Sequence, residues 1–250
     1  MQSLKDFLDE QVIRINTPAF IENDPVQFPR RYTRLQDIET AAFLTAIITW
    51  GNRSMILRDA ERMLSKMGES PYDFVMNEGY KTFGTANIHR TFFEPDCAYI
   101  LRGFRRIFLR YGSLQDFLVR IPGLNNAWNI TQALRSEIMI ANENNLNFKC
   151  FPSNFKKSAL KRINLALRWL VRNDGIVDLG VWTFLNPGQL YIPLDVHAGN
   201  TARQSGLLQR ASNDRKAVEQ LTARLRDFCP EDPVKYDFAL FGLGISGTGI

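Results

Sequence analysis

The chain has little cysteine, little histidine and no long apolar run. Cys97, Cys150 and Cys229 lie far apart with no C-x-x-C spacing, so neither a zinc site nor an iron–sulfur cluster is encoded. No metal and no cofactor is expected. The longest apolar run, Ala41 to Trp50 interrupted by Thr45 and Thr49, is too short to span a bilayer. The opening MQSLKDFLDE carries acids and lacks an apolar signal core. These absences lead to the expectation of a cytoplasmic protein with no membrane partner. Strand-like alternation is scarce, and neither an internal repeat nor a low-complexity tract is present.

What is there is enough apolar sequence for a folded unit. With 250 residues, 45% of them hydrophobic, the chain can bury a core as one domain or as two tightly joined lobes. Thirty-one Lys and Arg against 26 Asp and Glu give +5. That mild excess permits nucleic-acid binding, but the location of the charge decides more than its sum.

Helical periodicity recurs between stop signals, and the reading is all-α throughout. Ser3 caps a helix using Leu4, Phe7, Leu8 and Val12. A Pro- and Arg-containing loop follows to about Arg34. DIETAAFLTAIITW is apolar on nearly all sides and reads as a central buried helix. A helix with Ile56, Ala60, Met63 and Leu64 inward comes next, capped by Asn52 or Ser54, and Ser70-Pro71 starts a short one. Pro95, Ser113 and the NNAW stretch open three more. Near the end of the chain, NDRKAVEQLTARLRDF is followed by VKYDFALFGLG, with Asp232 as its cap and Pro233 in its first turn.

From residue 150 the basic groups become ordered. In SALKRINLALRWLVR, Leu160, Ile163, Leu167, Leu170 and Val171 form the buried stripe. Lys161, Leu165, Arg168 and Arg172, at steps of four, three and four, form a second, so three cations share one face. No acid accompanies them on the helix itself. The face is either solvated or a phosphate-facing edge. Further on, YIPLDVHAGN sets Asp195 at a helix start, where a carboxylate accepts hydrogen bonds from exposed backbone N–H groups. A cap and a catalytic carboxylate are compatible roles.

The stretches KRINLALRWLVR, VDLGVW, IPLDVHAGN and DPVKYDFALFGLG resemble those of an uncharacterised bacterial protein family, which in turn resembles the helix-hairpin-helix DNA glycosylases. The second resemblance is carried by Pro193-Leu194-Asp195-Val196-His197, similar to the P-V-D-V-H run of 8-oxoguanine glycosylases and the V-D-T-H run of endonuclease III-like enzymes. It implies a two-lobed all-α fold over residues 1–250, one lobe from 36–185 and the other from 1–35 with 186–250. It also implies Asp195 as the catalytic carboxylate and Lys161, 34 positions earlier, as the candidate nucleophile. That interval exceeds the one in endonuclease III-like enzymes and is similar to an archaeal 8-oxoguanine glycosylase branch.

The superfamily hairpin's Gly-x-Gly is missing, because the segment before Lys161 reads PSNFKKSAL. Phosphate contacts would come instead from Asn154, Lys156, Lys157, Ser158 and the helix N-terminus, joined by Arg162, Arg168 and Arg172. Trp50 and Asn52 fall where glycosylases place residues that wedge into the duplex, although Trp50 equally ends a core helix. His197 and Arg203 are supporting candidates, and His89 a candidate interlobe contact. Tyr236 and Asp237 stand at family-typical positions with no legible role. The resemblance implies base excision on damaged double-stranded DNA, with or without lyase activity. A catalytically silent, structure-selective DNA-binding protein and a scaffold that binds no DNA are the rival readings.

Overall fold

The computed structural model describes residues 2–144 and 151–246; Cys150 lies outside them. Its helices are α1 (Leu4–Ile15), α2 (Pro18–Glu22), α3 (Leu35–Ile47), α4 (Arg53–Ser65), α5 (Pro71–Met76), α6 (Glu94–Tyr111), α7 (Leu114–Val119), α8 (Ala127–Ile140), α9 (Lys161–Val171), α10 (Val196–Gln204), α11 (Arg215–Phe228) and α12 (Tyr236–Ser246). The protein is predominantly helical, as the periodicity predicts. One antiparallel hairpin departs from it, pairing β1 (Asn87–His89) with β2 (Phe92–Phe93). The loop expected before Arg34 contains α2 and two short 3-10 turns at Pro25–Gln27 and Pro29–Arg31, each element opened by a proline whose fixed φ suits a first helical position. Among the described residues no helix is long and apolar enough to cross a membrane.

The chain forms two compact units, residues 23–153 and residues 1–22 with 154–250. The divisions fall at 22/23 and 153/154. Segment 154–185 packs with the C-terminal helices because its buried arginines take their counter-charges there.

In the unit 23–153, α3 is buried on all sides, and its two acids act as caps for other helices. Glu39, fully buried, accepts from the N–H groups of Leu114 and Gln115 at 2.8 Å each, at the start of α7. Asp37 accepts from the Ser70 hydroxyl at 2.8 Å and the Tyr72 N–H at 2.7 Å, at the start of α5. Buried carboxylates are tolerable there because helix N-terminal N–H groups and their partial positive charge satisfy them. α6 and α8 pack backbone to side chain, since a Cβ on Gly103 would lie 2.4 Å from Ile138 Cγ1 and 2.7 Å from its Cα.

In the other unit, α12 is the central helix, packed by α1 and α10. Its FGLG stretch permits both approaches. A Cβ on Gly242 would meet Ile15 Cδ1 at 2.2 Å, and one on Gly244 would meet the His197 backbone oxygen at 3.0 Å.

Substituting Gly103→Ala forces a methyl into the Ile138 backbone and is expected to cost about 1–3 kcal/mol. Urea denaturation measures it, and an unchanged midpoint would contradict this packing.

Candidate functional site

Asp195 follows a buried run, Ile192 to Leu194, anchored where the Ile192 N–H donates to the Thr222 hydroxyl at 3.1 Å. Its carboxylate accepts from the Ala198 N–H at 2.9 Å, so it caps α10. Its carbonyl accepts from Gly199 N–H at 3.0 Å and from the Asn213 side-chain amide at 2.9 Å. Asn213 is held in turn by Arg203, which also donates to the Arg210 carbonyl at 2.8 Å. Gly199 leaves the space, because a Cβ there would meet Asn213 Oδ1 at 2.7 Å. Arg203 thus reaches Asp195 through Asn213, while His197 is exposed on the first turn.

The turn before α9 is tight despite having no glycine. The Ser158 N–H donates to the Asn154 carbonyl at 2.9 Å, the Lys157 N–H to the Asn154 side chain at 3.2 Å, and the Leu160 N–H to the Ser158 hydroxyl at 3.2 Å. Leu160 takes the left-handed conformation, φ 49° and ψ 36°, at a cost of roughly 1–2 kcal/mol for a residue with a Cβ. Arg215, opening α11, pins the turn by donating to the carbonyls of Lys157 at 2.9 Å and Phe155 at 3.1 Å. Lys156 and Lys157 are left exposed; Lys161 and Arg162, in the first turn of α9, are half-buried.

The remaining cations of the expected basic face are not at the surface. Arg168 is 3% exposed and Arg172 5%. Arg168 donates to Asp178 at 3.2 Å and to Asp237; Arg172 bonds Asp232 at 2.8 Å, Asp178 at 3.1 Å and Asp174. Arg168 also lies 4.4 Å from the Phe238 ring centroid. Both arginines are thereby corrected from phosphate contacts to buried ion-pair partners. The acids absent from the helix itself come from the segment after it and from the C-terminal region. Asp232, expected as a helix cap, makes no such side-chain bond and serves Arg172 instead.

Two guanidiniums thus meet four carboxylates, Asp174, Asp178, Asp232 and Asp237, and the surplus negative charge has consequences. Burial pulls Arg172 down, yet Asp178, Asp232 and Asp174 together hold it above its ordinary value. Burial raises the Asp178 carboxyl even against both arginines. Asp237 is pushed up to about 7, first by burial, opposed by Arg168, with Asp195 raising it and Lys161 lowering it. Arg168 cannot fully compensate Asp237 because it is shared with Asp178.

Trp50 and Asn52 belong to the unit 23–153. Asn52 caps α4, accepting from Ser54 N–H at 2.9 Å and Met55 N–H at 3.3 Å. The Trp50 carbonyl accepts from His89 Nε2 at 2.8 Å, while His89 Nδ1 faces Asp59 Oδ2, also at 2.8 Å. The buried His89 therefore ties the loop at Trp50 to α4 within this unit.

Residues 24–246 match a family described as protein of unknown function (DUF2400). The chain belongs to the DUF2400 family. No curated protein and no solved structure matches it. Among the described residues of this DUF2400 chain, no group of three His, Cys, Asp or Glu side chains is arranged to hold a metal ion. Asp178 and Asp237 escaped the sequence reading as arginine partners, although each sits in a stretch that carried the family resemblance, VDLGVW and DPVKYDFALFGLG.

Removing Arg168 leaves Asp178 and Asp237 without their shared guanidinium. Arg168→Met in this DUF2400 chain is expected to cost about 3–5 kcal/mol in urea denaturation, against near zero for the exposed Lys156→Ala. Equal costs would contradict the network. The raised Asp237 carboxyl also gives a sign for pH: the folded state keeps a proton that the unfolded chain releases above about pH 4, so this group's contribution to stability falls as pH rises toward 7. Stability of the wild type relative to Asp237→Asn should decline over that window, and a flat difference would exclude a raised carboxyl.

Proposed function

We propose that this DUF2400 protein is a DNA base-excision enzyme resembling the helix-hairpin-helix glycosylases, acting on a damaged base flipped out of double-stranded DNA. The observation that carries the reading is Asp195 at the start of α10, in the Pro193-Leu194-Asp195-Val196-His197 run, with its carboxylate held by the Ala198 N–H at 2.9 Å. A carboxylate beside C1′ stabilises the positive charge that develops on the sugar as the base departs. Asp195 serves that role while capping α10, where it accepts from the Ala198 N–H.

Lys161 is the nucleophile of a lyase-competent enzyme. Its Nζ lone pair forms the bond to C1′ as the bond to the base breaks, and the resulting amine adduct opens to a Schiff base. If Lys161 contacts phosphate instead, water attacks and the enzyme only releases the base. The exposed Lys156 and Lys157, on a turn anchored to α11, supply phosphate contacts that hold the opened duplex. Arg168 and Arg172 have no part in them. No cofactor is invoked.

Borohydride trapping on duplexes carrying 8-oxoguanine, uracil, an alkylated base or an abasic site tests the chemistry. A covalent adduct on one damaged base, lost in Lys161→Gln, is expected. Asp195→Asn keeps a good cap and should keep DNA affinity while losing base release. No release from any of these duplexes, with affinity unchanged in Asp195→Asn, would favour a silent DNA-binding protein. Binding should weaken with salt, and each of Lys156→Ala and Lys157→Ala should reduce the salt slope by about 1. Absence of binding to normal, abasic and damaged duplexes at all salt concentrations would favour a scaffold.

A further inference from the structure

Gly199 sits inside α10, where an alanine would favour the helix more. The glycine makes room for another side chain. A Cβ on it would lie 2.7 Å from Asn213 Oδ1, 3.0 Å from Asn213 Nδ2 and 3.0 Å from Arg203 Nη1. Asn213 comes from the loop between α10 and α11 and lies against the first turn of α10, where its amide donates to the Asp195 carbonyl at 2.9 Å. Its Oδ1 accepts from Arg203, which is itself anchored on the Arg210 carbonyl at 2.8 Å. Both ends of the Asn213 amide are engaged, one as donor and one as acceptor, and this fixes its orientation.

The two residues after Asn213 grip a different segment. Asp214 bridges Ser158 in an antiparallel pair, and the Arg215 N–H donates to the Lys157 carbonyl at 2.9 Å. The Arg215 guanidinium adds a bond to the Phe155 carbonyl at 3.1 Å. Asp214 Oδ1 accepts from Arg210 Nε at 2.7 Å and from the Ala217 N–H at 3.1 Å, which ties the corner to the start of α11. Three consecutive residues thus fasten Asp195 on one side and the turn with the exposed Lys156 and Lys157 on the other, all within one compact unit.

We propose that the corner of Asn213, Asp214 and Arg215 is a clamp that sets Asp195 in a fixed place relative to the Lys156 and Lys157 turn, with Asn213 as the positioning residue of Asp195. A polyanion backbone held on the two lysines is thereby presented to the start of α10 at a constant spacing. The use of this clamp in catalysis rests on the base-excision reading; the coupling of the turn to Asp195 does not. Asn213 acts on the Asp195 backbone, so its effect is placement rather than chemistry.

A double-mutant cycle on the full chain, read by urea denaturation, tests the geometry. Gly199→Ala alone should lower the midpoint, because the methyl displaces Asn213. In an Asn213→Ala background the same change should raise it, because only helix propensity remains. The same sign in both backgrounds overturns the proposal. Nitrogen-15 NMR tests the coupling. Asn154→Ala loosens the turn by removing the acceptor of the Lys157 N–H; the Ala198 and Gly199 amide signals should shift on that change in the wild-type background and stay in place in the Asn213→Ala background. Signals that ignore the turn, or follow it equally in both backgrounds, overturn the proposal.

Neither measurement uses DNA. On duplexes carrying 8-oxoguanine, uracil or an alkylated base, single-turnover base release by Asn213→Ala should fall about tenfold or more, with duplex affinity within about twofold of the wild type. An unchanged rate overturns the positioning role. Absence of release by the wild type, alongside the coupled amide shifts, would overturn the base-excision reading alone.

Discussion

The C-terminal unit depends on two arginines buried side by side on one face of α9. Arg168 and Arg172 carry their charges into the interior, and the chain answers with Asp174 and Asp178 from the following segment and Asp232 and Asp237 from the C-terminal region. Buried ion pairs of this kind add little net stability, because desolvation offsets most of the attraction. What they impose is register. A shift of α9 by one residue would turn both guanidiniums away from their acids and leave charge buried on each side.

That constraint also explains which parts of the molecule were legible in the sequence. Helix existence follows from local periodicity, and caps at Ser3, Ser70 and Ser113 follow from one hydroxyl and the N–H three residues on. The partners of Arg168 and Arg172 lie up to 69 residues away, beyond any local pattern. On a helical wheel a buried arginine and a solvated one look the same. The hairpin at Asn87–Phe93 was too short to show alternation, and the unit boundary at 153/154 was hidden because nothing in the turn before α9 reads as a linker.

The candidate site shows the same division. Asp195 was legible as a cap from its place before an apolar helix; a catalytic role for it and for Lys161 is what the resemblance implies and belongs to the proposal. Asp237 was not legible, since an acid in the first turn of a helix ordinarily serves the helix dipole. Its significance arises only when α9 brings Arg168 to it.

The overall charge of +5 has to be read through the same network. A count along the sequence credits Arg168 and Arg172 to a basic face, yet within the fold they are more than neutralised by four carboxylates. The interior around them is acid-rich, suited to stabilising positive charge rather than to gripping phosphate. Basicity available to a polyanion resides instead in side chains that remain outside, among them Lys156 and Lys157 on the turn that leads into Lys161. Exposed cations before the helix and surplus carboxylates behind it are opposite electrostatic demands, met within one segment because the first belongs to water and the second to the core.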